Sequence, residues 1–307
     1  MTKEKVVIIG SGPAGLTAAL YTARADLSPL VISGNQLGGQ VSITSEVENY
    51  PGFPEGATGP GLVEQMQKQA EKFGARVLID EVTQVDLRSG PPFRLQTYGQ
   101  SFDADGVIIA SGSSPRRLGV PGEEQLIGRG VSFCATCDGF FFRGKDVVVV
   151  GGGDSALEEG LFLTKFATRV RLIHRRSELR AGETLKKRAA ANPKVSYIWD
   201  SVVEEVRGTG KVEGVRVKNL KTGEESELAT DGVFIFVGHY PNSDLFKGQL
   251  TMDDRGYLIA DKLMMTSAPG VFAAGEIQDP VFRQVASSVG QGCAAAISLE
   301  RWLAARE

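Results

Sequence analysis

One stretch of this chain occurs twice. Val6-Val-Ile-Ile-Gly10-Ser-Gly12-Pro13-Ala14-Gly15-Leu-Thr-Ala-Ala-Leu20 returns 141 positions later as Val147-Val-Val-Val-Gly151-Gly-Gly153-Asp154-Ser155-Ala156-Leu-Glu-Glu-Gly-Leu161. Each copy is a short β-branched run, a glycine turn and then apolar residues at helical spacing, which reads as strand, turn, helix. A second pair of segments also matches. Asp105-Gly106-Val107-Ile-Ile109-Ala-Ser-Gly112 aligns with Asp231-Gly232-Val233-Phe-Ile235-Phe-Val-Gly238, each a buried strand running into Gly-x-x-Pro. The period is far too long for a solenoid. The expected architecture is therefore α/β, with two related Rossmann-like nucleotide-binding domains of three layers.

The composition agrees with that reading. Glycine is 38 of 307 residues, about 12% against a usual ~7%, with no collagen period and only 13 prolines. In a chain that is 42% hydrophobic, such a surplus means tight turns or backbone that approaches something closely. Net charge is −3, from 34 Lys+Arg against 37 Asp+Glu, so there is no electrostatic case for nucleic acid or an acidic membrane. No apolar run nears the ~18 residues of a membrane span, and the amino terminus does not read as a signal peptide. A cytoplasmic setting is expected, and three cysteines do not make a disulfide framework.

In G-x-G-x-x-G/A turns the first glycine makes the bend and the second lets backbone approach a pyrophosphate. The third lets helix and strand pack closely, and the phosphates rest on the helix N-terminus. Gly10, Gly12 and Gly15 form one such set, and Gly151, Gly153 and Ala156 the other. An acid about 20 residues on usually holds a ribose 2′-hydroxyl. The first copy has Ser33-Gly34-Asn35 there, with no acid. The second has His174-Arg175-Arg176, with Arg180 four residues later. Arginines at that point would clamp the 2′-phosphate of NADPH. At ~1.5–3 kcal/mol per charge-assisted hydrogen bond, two would favour NADPH over NADH by roughly 10²–10⁴-fold.

The first site needs a different occupant. Gly270-Val-Phe-Ala-Ala274-Gly275-Glu276 is a late buried strand that leads through Phe282-Arg283-Gln284-Val285 into a Gly/Ala-rich helix. By fold analogy both chain ends build one FAD-binding domain, 1–113 with 243–307, and residues 114–242 are inserted as the NADPH-binding domain. The late helix could stabilise negative charge on a reduced flavin.

Cys134-Ala-Thr-Cys137-Asp138-Gly139 precedes the second glycine turn. Two cysteines at this spacing can cycle between dithiol and disulfide. Zinc is the competing reading, but a closed site needs four ligands, and only Cys293, His174 and His239 remain, scattered. Cys293, in the late Ala-rich helix, reads as a buried small hydrophobe. Asp138 suits a proton donor to a leaving thiolate, with a plain turn residue as the alternative.

Together these residues resemble the low-molecular-weight, bacterial-type thioredoxin reductases over essentially the whole chain. The resemblance rests on residues 10–15, Gly38-Gly39-Gln40, Glu46-Val-Glu-Asn49, the Cys-Ala-Thr-Cys-Asp-Gly run, Gly151-Gly-Gly153, the arginine set and Arg283-Gln284. It implies electron flow from NADPH to FAD, to a Cys134–Cys137 disulfide and on to thioredoxin. It also implies a homodimer and a rotation of the inserted domain, with hinges near Ser113–Arg117 and Pro241–Phe246. FAD would lie against Gly10, Gly12, Pro13, Ala14, Gly15, Gly38, Gly39, Gln40, Asn49 and Gly112, and against Gly275, Glu276, Arg283, Gln284 and Val285. NADPH would lie against Gly151, Gly153, Asp154, Ser155, Ala156, His174, Arg175, Arg176, Arg180 and Gly238.

Arg129 with Phe140 and Phe141 would dock thioredoxin, and the run Phe140–Phe142 suits an exposed apolar patch, with core packing as its alternative. The chain departs from the family pattern at Glu276, where Asp is usual, and at Ser111 and Ser243, which keep a hydroxyl. Two other functions stay open at this point: the same scaffold passing electrons to another disulfide protein or to oxygen, and a non-catalytic flavin/NADP redox sensor.

Overall fold

A strand segment that is apolar at every position must be covered on both faces, and the runs Val6–Ile9 and Val147–Val150 before the two glycine turns are of this kind. The computed structural model describes residues 2–34, 36–44 and 46–306, so Asn35 lies outside the described residues. The chain opens with β1 (Thr2–Ile9), α1 (Pro13–Arg24), β2 (Leu30–Ile32), α2 (Gly59–Lys72) and β3 (Arg76–Leu78). Then come β4 (Val82–Asp86), β5 (Phe93–Thr97), β6 (Ser101–Ile109) and β7 (Ser113–Pro115). The next stretch holds β8 (Val131–Ser132), α3 (Ala135–Asp138), β9 (Asp146–Gly151), α4 (Asp154–Leu163), β10 (Arg169–Ile173) and α5 (Glu183–Ala190). It continues with β11 (Val195–Ile198), β12 (Ser201–Arg207), β13 (Gly214–Asn219), β14 (Glu225–Ala229) and β15 (Gly232–Phe236). The chain ends with β16 (His239–Pro241), β17 (Val271–Ala273) and α6 (Val285–Ala304).

Residues 1–114 and 240–307 form one unit, and 115–239 form the other. In the first, the sheet runs β3-β2-β1-β6-β5-β4, with β17 also on β6. The pairs among β3, β2, β1, β6 and β17 are parallel, and β4, β5 and the start of β6 are antiparallel. The second unit has a parallel sheet, β11-β10-β9-β15-β8, and an antiparallel meander, β12-β13-β14. Each unit is thus a parallel sheet joined to a three-stranded antiparallel element.

The duplication extends to register. Val6 pairs with Gly106 and Ile9 with Ile109; Val147 pairs with Gly232 and Val150 with Ile235. The two sequence repeats are therefore neighbouring strands in each unit, aligned at equivalent residues. Side-chain alternation does the rest. Val7 and Ile9 enter one core cluster of the first unit while Val6 and Ile8 enter another, with Ala14, Ala18 and Ala19 of α1 and Ala295 and Ala296 of α6. In the second unit Val147 and Val149 face one cluster and Val148 and Val150 the other.

Hydrogen bonds fix the chain on each side of its two crossings. In the first unit Asn242 N donates to Gly112 O, Asn242 Nδ2 to Ser111 O, and the Ser111 hydroxyl to Asn242 O. These bonds draw residues 240–242 into the first unit. In the second unit Arg116 N donates to Gly238 O. Among the described residues, no helix is long and apolar enough to cross a membrane.

Candidate active site

The glycines of each turn sort by what a side chain would strike. A Cβ on Gly10 would stand 2.3 Å from Ala110 O, and one on Gly15 would stand 2.0 Å from Gly10 O, so these two let strand, turn and helix close up. Gly12 differs: a Cβ there meets nothing within 4 Å. The second turn repeats the division. Gly151 would strike Phe236 O at 2.5 Å and the Ala156 methyl at 2.7 Å, while Gly153 faces open space. Gly12 and Gly153 are the N-caps of α1 and α4, and neither helix has a side-chain cap. Each helix thus begins at a glycine with no side-chain cap and no atom crowding it, which suits the close approach of a pyrophosphate to the helix N-terminus.

Around the first turn the structure gathers the late segment that the sequence reading assigned to the flavin. A Cβ on Gly275 would approach the Ala14 methyl to 2.9 Å, and one on Gly292 would strike Ala14 O at 2.2 Å, so α6 and the Gly275 turn sit directly on the start of α1. Gly275 N donates to Gln291 Oε1 at 2.8 Å, and Gln291 Nε2 donates to Asp279 Oδ2 at 2.9 Å. Asn49 Nδ2 donates to Gln284 Oε1 at 3.1 Å, joining two expected site residues 235 positions apart. Arg283 holds a left-handed backbone, φ 50°, and its guanidinium donates to Pro280 O. Gln284 caps α6 reciprocally with Ser287, just before Val285, while Gln40 is exposed.

Glu276, longer than the usual Asp, accepts from the Ser113 hydroxyl at 2.5 Å. Burial raises its pKa, against the lowering effects of that hydroxyl and of Arg283.

Ser11 is a residue that the sequence reading passed over. Its hydroxyl donates to Ser33 O at 3.1 Å and accepts from Gly38 N at 3.0 Å. It is 1% exposed and ties the glycine turn, the end of β2 and the Gly38-Gly39 turn into one assembly. Serine occurs in so many turns that nothing in its local sequence signals this role.

In the second unit Arg175, Arg176 and Arg180 line an open cavity of about 600 Å³. Lys221 shares its wall, paired with Asp200 at 2.9 Å, and comes from a turn between β13 and β14 that no motif marked. Arg180 N donates to Gly152 O at 2.7 Å, which anchors the arginine loop to the glycine turn. His174 is 5% exposed and lies under that turn, where a Cβ on Gly152 would strike its ring at 2.3 Å. Burial lowers its pKa, so at neutral pH it is uncharged and packs the turn from beneath. Asp154 Oδ1 accepts from Gly182 N at 2.8 Å; Ser155 is exposed and Ala156 is buried. Gly238 lies beside the Arg116 side chain.

Cys134 and Cys137 form a disulfide. Cys134 is the N-cap of α3, and its Sγ accepts from Cys137 N at 3.2 Å. The Ser132 hydroxyl accepts from Cys134 N and donates to Cys134 O. Asp138 follows, partly buried; desolvation raises its pKa, with the Ser132 hydroxyl pulling it back down. A carboxyl whose pKa is raised in this way holds its proton to higher pH.

The three phenylalanines divide. Phe140 is 51% exposed, Phe141 is half-buried, and Phe142 is core at 7%, edge-on to Phe234 at 5.0 Å and filling the space over Gly232. The expected patch thus loses its third member, because β15 leaves a hole at Gly232 that only a large ring fills. Arg143 lies over both the Phe140 and Phe166 rings. Arg129 is exposed, and its backbone is held by Leu126 and Val212. Cys293 departs from expectation: it is only partly buried, and its proximity raises the Tyr21 pKa.

Residues 4–292 match the family model described as pyridine nucleotide-disulphide oxidoreductase. The chain belongs to that family. It is 52% identical over 307 residues to the thioredoxin reductase of Mycolicibacterium smegmatis, covering 100% of this chain and 98% of that one. To the thioredoxin reductase of Streptomyces coelicolor it is 51% identical, over 98% of this chain and 94% of the other. The crystal structure of thioredoxin reductase from Streptococcus pyogenes superposes with a TM-score of 0.94 at 44% identity, covering 99% of each chain. This family of oxidoreductases uses FAD and NADPH, which is the chemistry that the two glycine turns and the arginine cavity fit.

Proposed function

We propose that this chain is an NADPH-dependent thioredoxin-disulfide reductase. The observation that carries the reading is the Cys134–Cys137 disulfide with Asp138 in the same unit as an arginine-lined dinucleotide turn. When bound, FAD relays two electrons between NADPH and that disulfide. The first glycine turn, Asn49, Glu276 and the segment Arg283-Gln284-Val285 would hold FAD, with Gly12 leaving room for its pyrophosphate. Gly153 and the α4 amides receive the NADPH pyrophosphate, and Arg175, Arg176 and Arg180 take its 2′-phosphate.

In the disulfide half of the cycle, the thiolate of one cysteine of the pair attacks thioredoxin's disulfide; that bond breaks, a mixed disulfide forms and thioredoxin's other sulfur leaves as a thiolate that takes a proton from water. The second sulfur then displaces it, closing Cys134–Cys137 and releasing a thioredoxin thiolate, to which Asp138 gives its proton. Arg129 and the exposed ring of Phe140, with part of Phe141, supply the docking face for thioredoxin. The crossings at 114–115 and 239–240 act as the hinges for a rotation of the inserted unit between half-reactions. The enzyme works as a cytoplasmic homodimer.

The test is NADPH consumption with a panel of thioredoxins, a glutaredoxin and oxygen as acceptors. A thioredoxin that supports turnover far above the oxygen rate is the expected result. Turnover with oxygen alone overturns the proposal.

A further inference from the structure

The turn that carries the cysteines is held from outside by one carboxylate. Glu159 Oε2 accepts from Ala135 N at 2.9 Å. Ala135 directly follows Cys134 and is wholly buried. Glu159 is partly buried on α4, the helix that opens at Gly153, whereas its neighbour Glu158 points to solvent. The gripped peptide therefore lies inside the small ring closed by the disulfide and by the Cys137 N to Cys134 Sγ hydrogen bond. A carboxylate one residue from a sulfur does two things: it fixes the backbone, and it opposes the negative charge of a thiolate formed there.

We propose that Glu159 is a positioning residue of the redox pair, whose charge disfavours the opened, thiolate-bearing form and so makes the Cys134–Cys137 disulfide harder to reduce. This rests on the reading of that pair as the redox centre. The equilibrium in question is exchange with an external thiol couple. Two glutathione molecules give up two electrons and become glutathione disulfide, and the Cys134–Cys137 bond breaks. The two thiol protons pass to the two protein sulfurs, or one passes to water where a thiolate remains.

The experiment equilibrates the full-length, FAD-loaded protein with graded ratios of glutathione to glutathione disulfide. The mixtures are then quenched in acid, and the alkylated cysteines are counted by mass spectrometry. Glu159→Gln keeps the carbonyl oxygen that accepts from Ala135 but removes the charge. It is expected to shift the equilibrium constant toward the dithiol by three- to tenfold, tenfold being 29.6 mV for this two-electron couple. Glu158→Gln, one residue away on the exposed side, stays within twofold of the parent. A purely structural Glu159 would be replaced by Gln without effect, so a parent-like constant for Glu159→Gln overturns the proposal. An equal shift in Glu158→Gln overturns it too. If the pair does not exchange in the parent protein, the redox assignment itself falls and this inference with it.

Discussion

Gly151 and Gly153 stand two residues apart in one turn, and the same added methyl group should have opposite consequences at the two positions. At Gly151 the backbone is left-handed, φ 154°, and a Cβ would lie 2.5 Å from Phe236 O and 2.7 Å from the Ala156 methyl. Gly151→Ala must therefore push apart β9, β15 and α4, at a cost of about 1–3 kcal/mol of stability, the usual range for overpacking. At Gly153 the backbone is extended, φ −95°, and a Cβ meets nothing within 4 Å. Gly153→Ala should leave the fold intact, because the ~0.4–1 kcal/mol gained from reduced freedom of the unfolded chain offsets the poorer N-cap that Ala makes on α4.

The new methyl at Gly153 then occupies the space through which a dinucleotide reaches the α4 amides. Losing one charge-assisted hydrogen bond of ~1.5–3 kcal/mol weakens binding about 10- to 150-fold. The assay pairs calorimetric titration with NADP+, which cannot reduce the flavin, with urea unfolding followed by circular dichroism. Parent-like NADP+ affinity in Gly153→Ala, or parent-like stability in Gly151→Ala, would refute the division of labour in the turn.

Phe142→Ala should lower stability by about 3–5 kcal/mol, since it empties the space over Gly232, while Phe140→Ala should leave unfolding nearly unchanged and raise the KM for thioredoxin. Steady-state kinetics beside the unfolding curves checks both. Arg176→Ala should cost NADPH about 10- to 150-fold in kcat/KM at ~1.5–3 kcal/mol per lost bond, with NADH little affected; an equal loss for both would remove this arginine from the phosphate clamp. Burial raises the Asp138 pKa above its unfolded value, so the stability this group contributes is present below the unfolded pKa of about 3.9 and is lost as pH rises through the folded value. Asp138→Asn should therefore gain stability relative to the parent as pH climbs through that window while losing thioredoxin turnover, and parallel pH–stability curves would contradict this.

Much of the fold was legible because repetition is a long-range signal. Two copies of a strand–glycine–helix unit and two copies of a closing strand specified neighbouring strands, and the registers Val6–Gly106 and Val147–Gly232 match residue for residue. The two crossings were harder to place to the residue, because a short ribbon with hydrogen bonds to both sides has no compositional edge. Asn242 belongs with the first unit through its bonds to Ser111, Gly112 and Ser114.

At the site, residues carried by motifs were readable, and those acting through geometry were not. Ser11, Glu159, Lys221 and Gln291 come from ordinary turns or helix faces, and only the folded chain brings them to Gly38, Ala135, the arginine cavity and Gly275. His174 shows the converse, a motif residue whose ring packs the turn from beneath.

The most direct test of the central claim follows the flavin colour of Cys137→Ser and the parent under anaerobic NADPH, before and after adding oxidised thioredoxin. The account predicts that NADPH bleaches both proteins, and that thioredoxin restores the colour of the parent alone. A variant that thioredoxin reoxidises as fast as the parent would place electron transfer outside the Cys134–Cys137 pair and contradict the account.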